Sequence, residues 1–220
     1  IICEKWKANY DYLPDLIVVE GPKAGGHLGF KQNQIVDPNY SIENLIPDVV
    51  REVALFEEKY SQEIPVVAAG GIYDGENMYK IMQLGAKGVQ IASRFVTTDE
   101  CDADIKFKNS YIKAGENDVE IIQSPVGMPG RALKGEFLEK VKQGLTAPKS
   151  CPYNCLHTCD YKKVPYCIIV TLYNAYQGKM DKGYAFAGSN AYRATKISSV
   201  KEVVDSITSE YNQAEKEAKN

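Results

Sequence analysis

The chain has no apolar run approaching the length that crosses a bilayer, and it carries no excess of basic residues. Lys and Arg number 26 against 29 Asp and Glu, a formal charge of −3. The first absence argues against a membrane-spanning helix, the second against an electrostatic footprint for nucleic acid. No internal repeat and no low-complexity tract is present. The opening residues, Ile1-Ile2-Cys3-Glu4-Lys5-Trp6, form neither a signal peptide nor a natural initiator sequence, so the chain is expected to begin mid-protein. With no secretory signal, its six cysteines favour a reducing, cytoplasmic setting. A hydrophobic content of 44% and a charged content of 25% are those of an ordinary globular protein, and 220 residues suffice for one large domain or two small ones.

Histidine is nearly absent too, and one of the two falls in the most informative stretch. Leu16-Ile17-Val18-Val19 reads as a buried parallel strand. It runs into Glu20-Gly21-Pro22-Lys23-Ala24-Gly25-Gly26-His27-Leu28-Gly29. Glycines let backbone approach a ligand closely, and histidine titrates near neutral pH. A strand end of this kind is where an α/β enzyme would put a base beside a cofactor. The competing reading of His27 is a loop histidine satisfied by backbone carbonyls.

The rest of the first half keeps a strand–helix rhythm. Residues 1–13 look like the tail of a helix. A long connection to about Tyr40 leads into a helix from Ser41 to about Tyr60, with Val49, Val50, Val53, Leu55 and Phe56 on its apolar side. Strands follow at Ile64–Ala69 and Gly88–Ile91. Between them lies a helix from about Gly75 to Leu84, capped by Asp74 and closed by Gly85. Another helix is expected over about Glu100–Ala114. The order implies right-handed parallel βα units. From Asp118 the rhythm changes to a short strand at Val119–Ile122, a turn-rich loop Ser124–Arg131, a helix Phe137–Gln143, a cysteine-rich segment and a final polar helix from Ser199. The reading is therefore two parts, residues 1–117 and 118–220, the second smaller and mostly helical.

Two consecutive strand ends carry small residues, Ala69-Gly70-Gly71 and Ala92-Ser93. Backbone N–H groups at such ends can hold an anion, and parallel barrels commonly bind phosphate between their last two strands. On that count the three strands are the sixth, seventh and eighth of a barrel, with about five preceding residue 1. The alternative is that these glycines only make tight turns.

Taken together, Val19-Glu20-Gly21…Ala24-Gly25-Gly26-His27-Leu28-Gly29, Val66-Val67-Ala68-Ala69-Gly70-Gly71-Ile72 and Gly85-Ala86…Gly88-Val89-Gln90…Ser93-Arg94-Phe95 resemble the nitronate monooxygenase family, formerly 2-nitropropane dioxygenase. Flavin-dependent enoyl-ACP reductases share these motifs. The match is good over residues 10–135 and looser beyond, where Ala185-Phe186-Ala187-Gly188-Ser189-Asn190 resembles a late glycine motif. The resemblance implies the C-terminal portion of an FMN-binding (β/α)8 TIM barrel with an added, mostly helical small domain. It implies a flavoprotein oxidoreductase with His27 as catalytic base. The FMN phosphate would lie around Gly70, Gly71, Ala92 and Ser93, with Gly25 and Gln90 also near the flavin. The substrate would be a small molecule, an alkyl nitronate oxidised with oxygen or an enoyl thioester reduced at the expense of NAD(P)H. Glu20, where the family also uses Gln, leans towards the reductase. Lys23 and the Ala92-Ser93 pair depart from the usual pattern, the latter mildly. A missing N-terminal half would weaken FMN binding. The rival from another class is a non-catalytic half-barrel that forms homo-oligomers through an open sheet edge.

Cys151-x3-Cys155-x3-Cys159-x7-Cys167 is the second unusual feature. Were 151–159 helical, three thiols would share one face, and Pro152 suits a first turn. Converging thiolates could hold zinc or an iron–sulfur cluster, but the spacing matches neither a zinc knuckle nor a ferredoxin run. Buried or redox-active thiols are the other reading, so no metal ligand is assigned. His157 lies off that face and reads as a surface residue. Arg131 suits either a phosphate contact or a surface ion pair, and Glu210–Asn220 reads as a solvated, fraying helix.

Overall fold

The computed structural model describes residues 1–151, 153–155, 157 and 159–219. In chain order its strands are β1 (Ile17–Glu20), β2 (Gly26–His27), β3 (Val66–Ala69), β4 (Gly88–Gln90), β5 (Val119–Gln123) and β6 (Pro129–Leu133). Its helices are α1 (Ile2–Tyr10), α2 (Gln32–Ile35), α3 (Ile42–Tyr60), α4 (Gly75–Met82), α5 (Ser93–Val96), α6 (Ile105–Lys113), α7 (Glu136–Lys142), α8 (Ile168–Tyr176) and α9 (Val200–Ala218). The chain forms two units. One comprises Ile1–Lys23, Asn33–Ile91 and Val204–Asn220, the other Ala24–Gln32 and Ala92–Val203. Residues 92–117 thus belong with the second.

The first unit is built on the expected parallel strands, in the order β1-β3-β4. Ile17 pairs with Val66 and Glu20 with Ala69; Val67 pairs with Gly88 and Ala69 with Gln90. Helix α3 lies against this sheet through Ile42, Ile46 and Val53, all buried, with Val49, Val50 and Phe56 packed beside them. These positions follow the helical period. Leu55 does not; it is 58% exposed, contrary to its expected place on the apolar side. Asp74 caps α4 as expected, its carboxylate accepting from the Asn77 N–H at 2.7 Å. The helix ends at Met82, two residues before the expected Leu84.

The second half of α9 corrects the view of it as wholly solvated. The Glu210 carboxylate accepts from the Gly75 N–H at 2.8 Å, at the start of α4, where negative charge is favourable. Tyr211 meets Tyr79 edge-on at 5.6 Å. A Cβ on Gly75 would lie 2.1 Å from the Ile207 carbonyl oxygen, so the two helices touch at a point only glycine allows.

The second unit centres on an antiparallel sheet ordered β2-β6-β5. The loop expected over Ser124–Arg131 is half strand: β6 begins at Pro129 and pairs along its length with β5, leaving a tight turn in which the Ser124 N–H donates to the Met128 carbonyl. Two small cores flank the sheet, one around Tyr111, Leu133 and Ala187, the other around Phe137, Tyr166 and Tyr184. Helix α6 is shorter than the expected 100–114. The described residues of 151–159 are not helical, which corrects the conditional reading of one thiol-bearing face; Pro152 lies outside the described residues. No helix among the described residues is long and apolar enough to cross a membrane.

Candidate active site

His27 stands in a strand of two residues. Gly26 pairs with Arg131 and His27 with Gly130, which stitches the Gly-rich segment to β6. That pairing is closed by the Leu28 N–H donating to the Pro129 carbonyl at 2.8 Å. The imidazole, half-buried, has its Nε2 2.7 Å from the Ser124 hydroxyl. Its ring meets Phe186 edge-on at 5.1 Å. The recorded partner of His27 is thus a buried side-chain hydroxyl, not the backbone carbonyl of the alternative reading. A hydroxyl both donates and accepts, so it serves the neutral and the protonated ring alike.

Phe186 is itself fixed. The buried Tyr111 hydroxyl donates to the Phe186 carbonyl, and burial pushes the Tyr111 phenol well above its ordinary range, so it stays a donor. A Cβ on Gly130 would come within 2.9 Å of the Phe186 ring. Arg131 is buried, not at the surface. It is 9% exposed and donates through Nη1 to the Ala24 carbonyl at 3.1 Å. Burial lowers its pKa from the ordinary arginine range. Its guanidinium therefore bolts down the loop just before Gly25.

The glycines around His27 differ in purpose. A Cβ on Gly25 would lie 2.5 Å from the backbone of Ala187 and of Gly188, so close approach of two chain segments excludes any side chain. Gly26, at φ +82°, and Gly29 face open space within 4 Å of where a Cβ would stand. Beyond Gly188, the hydroxyl of Ser189 is buried without a hydrogen-bond partner. Such an orphan is costly unless something else meets it.

In the first unit, Gly70 and Gly71 follow β3 and both adopt left-handed backbone, φ +89° and +86°. A Cβ on Gly71 would meet the Lys23 side chain at 2.7 Å. Gln90 ends β4 and is exposed. In the second unit, Ala92 is exposed and Ser93 begins the short helix α5. Each residue expected to hold a cofactor thus sits at a strand end or helix start. Ser124, Phe186 and Tyr111 escaped the sequence reading as site residues. Ser124 and Phe186 lie 97 and 159 positions from His27, and nothing local marks them.

A family model described as nitronate monooxygenase matches residues 1–210. Among curated proteins, the chain is 34% identical over 138 residues to a probable nitronate monooxygenase of Staphylococcus saprophyticus, covering 62% of this chain and 36% of that protein. A Staphylococcus haemolyticus counterpart is 35% identical over 131 residues, covering 59% and 34%. Among solved structures, FabK from Thermotoga maritima superposes with a TM-score of 0.69 at 26% identity, over 93% of this chain and 57% of that one. Nitroalkane oxidase from Streptomyces ansochromogenes, at 23% identity and a TM-score of 0.65, shares the fold. The chain spans about a third of the length of these curated relatives. The glycine-flanked histidine, the parallel strands and a family match over nearly the whole sequence agree: the chain belongs to the nitronate monooxygenase family.

Proposed function

We propose that this chain is the C-terminal portion of a (β/α)8 barrel oxidoreductase that uses FMN to oxidise alkyl nitronates with oxygen, with His27 as its base. The observation that carries the reading is the setting of His27: a half-buried imidazole held by strand pairing, by the Ser124 hydroxyl and by the Phe186 ring, in a loop with open room beside Gly26 and Gly29. Two features fit a bound cofactor. In the first unit, glycines 70 and 71 adopt consecutive left-handed backbone at a strand end; in the second, the buried Ser189 hydroxyl lacks a partner from the protein. Gly25, Gly70, Gly71, Gln90, Ala92 and Ser93 are the residues that would hold FMN, Ser93 supplying a hydroxyl. When bound, the flavin supplies the electron transfer between substrate and oxygen.

His27 takes the acidic proton from the carbon bearing the nitro group, becoming an imidazolium, or orients the nitronate anion when the substrate arrives already ionised. Imidazole is the side chain most often used for such proton transfer. Ser124 keeps the ring aimed by bonding Nε2, and Phe186 shields one side of it from water. The likeness to FabK favours a second reading, reduction of an enoyl thioester by NAD(P)H, in which His27 positions or protonates substrate.

Oxygen uptake with a nitronate, compared with NAD(P)H oxidation with a crotonyl thioester, separates the two readings. Neither activity in the flavin-loaded protein would refute both.

A further inference from the structure

The four cysteines of the 151–167 array have no part in the chemistry above, yet the fold gathers them. Cys151, Cys155, Cys159 and Cys167 all line one cavity of about 420 Å³ within the second unit. All four are free thiols; Cys155 and Cys159 are exposed, Cys151 and Cys167 half-buried. The exposed His157 is not part of the cavity wall. Tyr161, Val164, Tyr166 and Ile168 supply much of the remaining surface.

We propose that this cavity is the site of a cuboidal iron–sulfur cluster ligated by Cys151, Cys155, Cys159 and Cys167. Four thiols lining one cavity favour a cluster over a single ion. Tetrahedral zinc at ~2.3 Å from each sulfur needs thiolates within about 4 Å of one another. Among the described residues, no His, Cys, Asp and Glu side chains are grouped to hold one metal ion. All four instead line one cavity, where a polynuclear centre would sit. The apolar residues of the wall also suit a cluster, since a hydrophobic surround tunes its potential.

The location gives the centre a consequence. The Ser124–Met128 turn contributes Pro125, Val126 and Gly127 to the same cavity, and Ser124 is the partner of His27. Between α7 and α8, the described residues of 143–167 contain no helix or strand. A cluster therefore staples this irregular segment against the turn that orients His27. It enters by ligand exchange: four protein thiols replace the cluster's four external thiolates, each passing its proton to the thiolate that departs, with no change in iron oxidation state.

The test is to purify the protein without oxygen, and separately to treat oxygen-exposed, reduced protein with a synthetic thiolate-ligated cuboidal cluster. Iron and acid-labile sulfide are then counted, and electron paramagnetic resonance is recorded after dithionite reduction. We expect about four iron and four sulfide per chain and a reduced-cluster signal. Both should be lost in Cys155→Ser and in Cys159→Ser and kept in Cys101→Ser. Because the two exposed positions carry little packing, circular dichroism should be unchanged in all three variants. Zinc without sulfide, no metal by either route, or an intact cluster in both Cys155→Ser and Cys159→Ser would overturn the assignment.

Discussion

Replacing Gly25 by alanine tests the way the His27 loop is seated. The added Cβ would stand 2.5 Å from the carbonyl carbon of Ala187 and from the nitrogen of Gly188, and 3.0 Å from the Ala187 oxygen. Favourable contacts between such atoms lie at about 3.5–4.0 Å, so roughly 1 Å must be found. Both obstacles are backbone, which no change of rotamer can move aside. Ala24, next in the chain, is pinned through its carbonyl by buried Arg131. Overpacking of this kind costs typically 1–3 kcal/mol, and immovable neighbours place the change at about 2–3 kcal/mol. With a urea slope of ~2 kcal/mol/M, the midpoint should fall by about 1–1.5 M, followed by near-ultraviolet circular dichroism of the second unit's tyrosines. Gly29→Ala is the control. No atom lies within 4 Å of its Cβ position, so its midpoint should stay within about 0.3 M of the parent, the ~0.5 kcal/mol spread of neutral surface changes. Equal midpoints for Gly25→Ala and the parent would refute the close approach.

Other perturbations separate positioning from packing. Ser124→Ala removes the hydroxyl on His27, and a lost hydrogen bond of about 1 kcal/mol should lower turnover roughly fivefold while Ser124→Thr retains most of it, read by steady-state kinetics. Tyr111→Phe deletes the bond to the Phe186 carbonyl from inside a core and should destabilise by about 1–2 kcal/mol in urea melts. Glu202→Gln should fray the start of α9. Backbone and hydroxyl bonds from Ser199 hold the Glu202 carboxylate below its ordinary pKa of 4.5. Its stabilisation is therefore present above pH 4.5 and vanishes as pH falls through the lowered value. Amide exchange at the first turn should differ between parent and variant at neutral pH and converge in acid.

The parallel strands were legible because each is a short apolar run closed by glycine or a small residue, and the cap at Asp74 because its position needs only local chemistry. Strand β2 was not legible. Gly26 and His27 carry no strand pattern of their own, and only pairing with residues 130 and 131 makes them one. The same non-locality hid Ser124 and Phe186, and it hid the burial of Arg131 against the Ala24 carbonyl. Leu55 looked like part of an apolar face because a run of hydrophobic residues surrounds it, but the helical period turns it outward. Glu210 looked solvated since the Gly75 N–H it receives lies 135 positions away. The histidine in its glycines, by contrast, was visible from spacing alone. What the fold adds is the pair of groups that hold the ring.

The central claim is that His27 acts on a nitronate beside a bound flavin. Its most direct test is nitronate-dependent oxygen uptake by the flavin-loaded protein, isolated as the cell makes it, against a His27→Asn variant with the same flavin content. The account predicts uptake by the parent and a loss of roughly 10²–10⁴-fold in the variant, the usual contribution of a general base. Equal rates in the two proteins would contradict it.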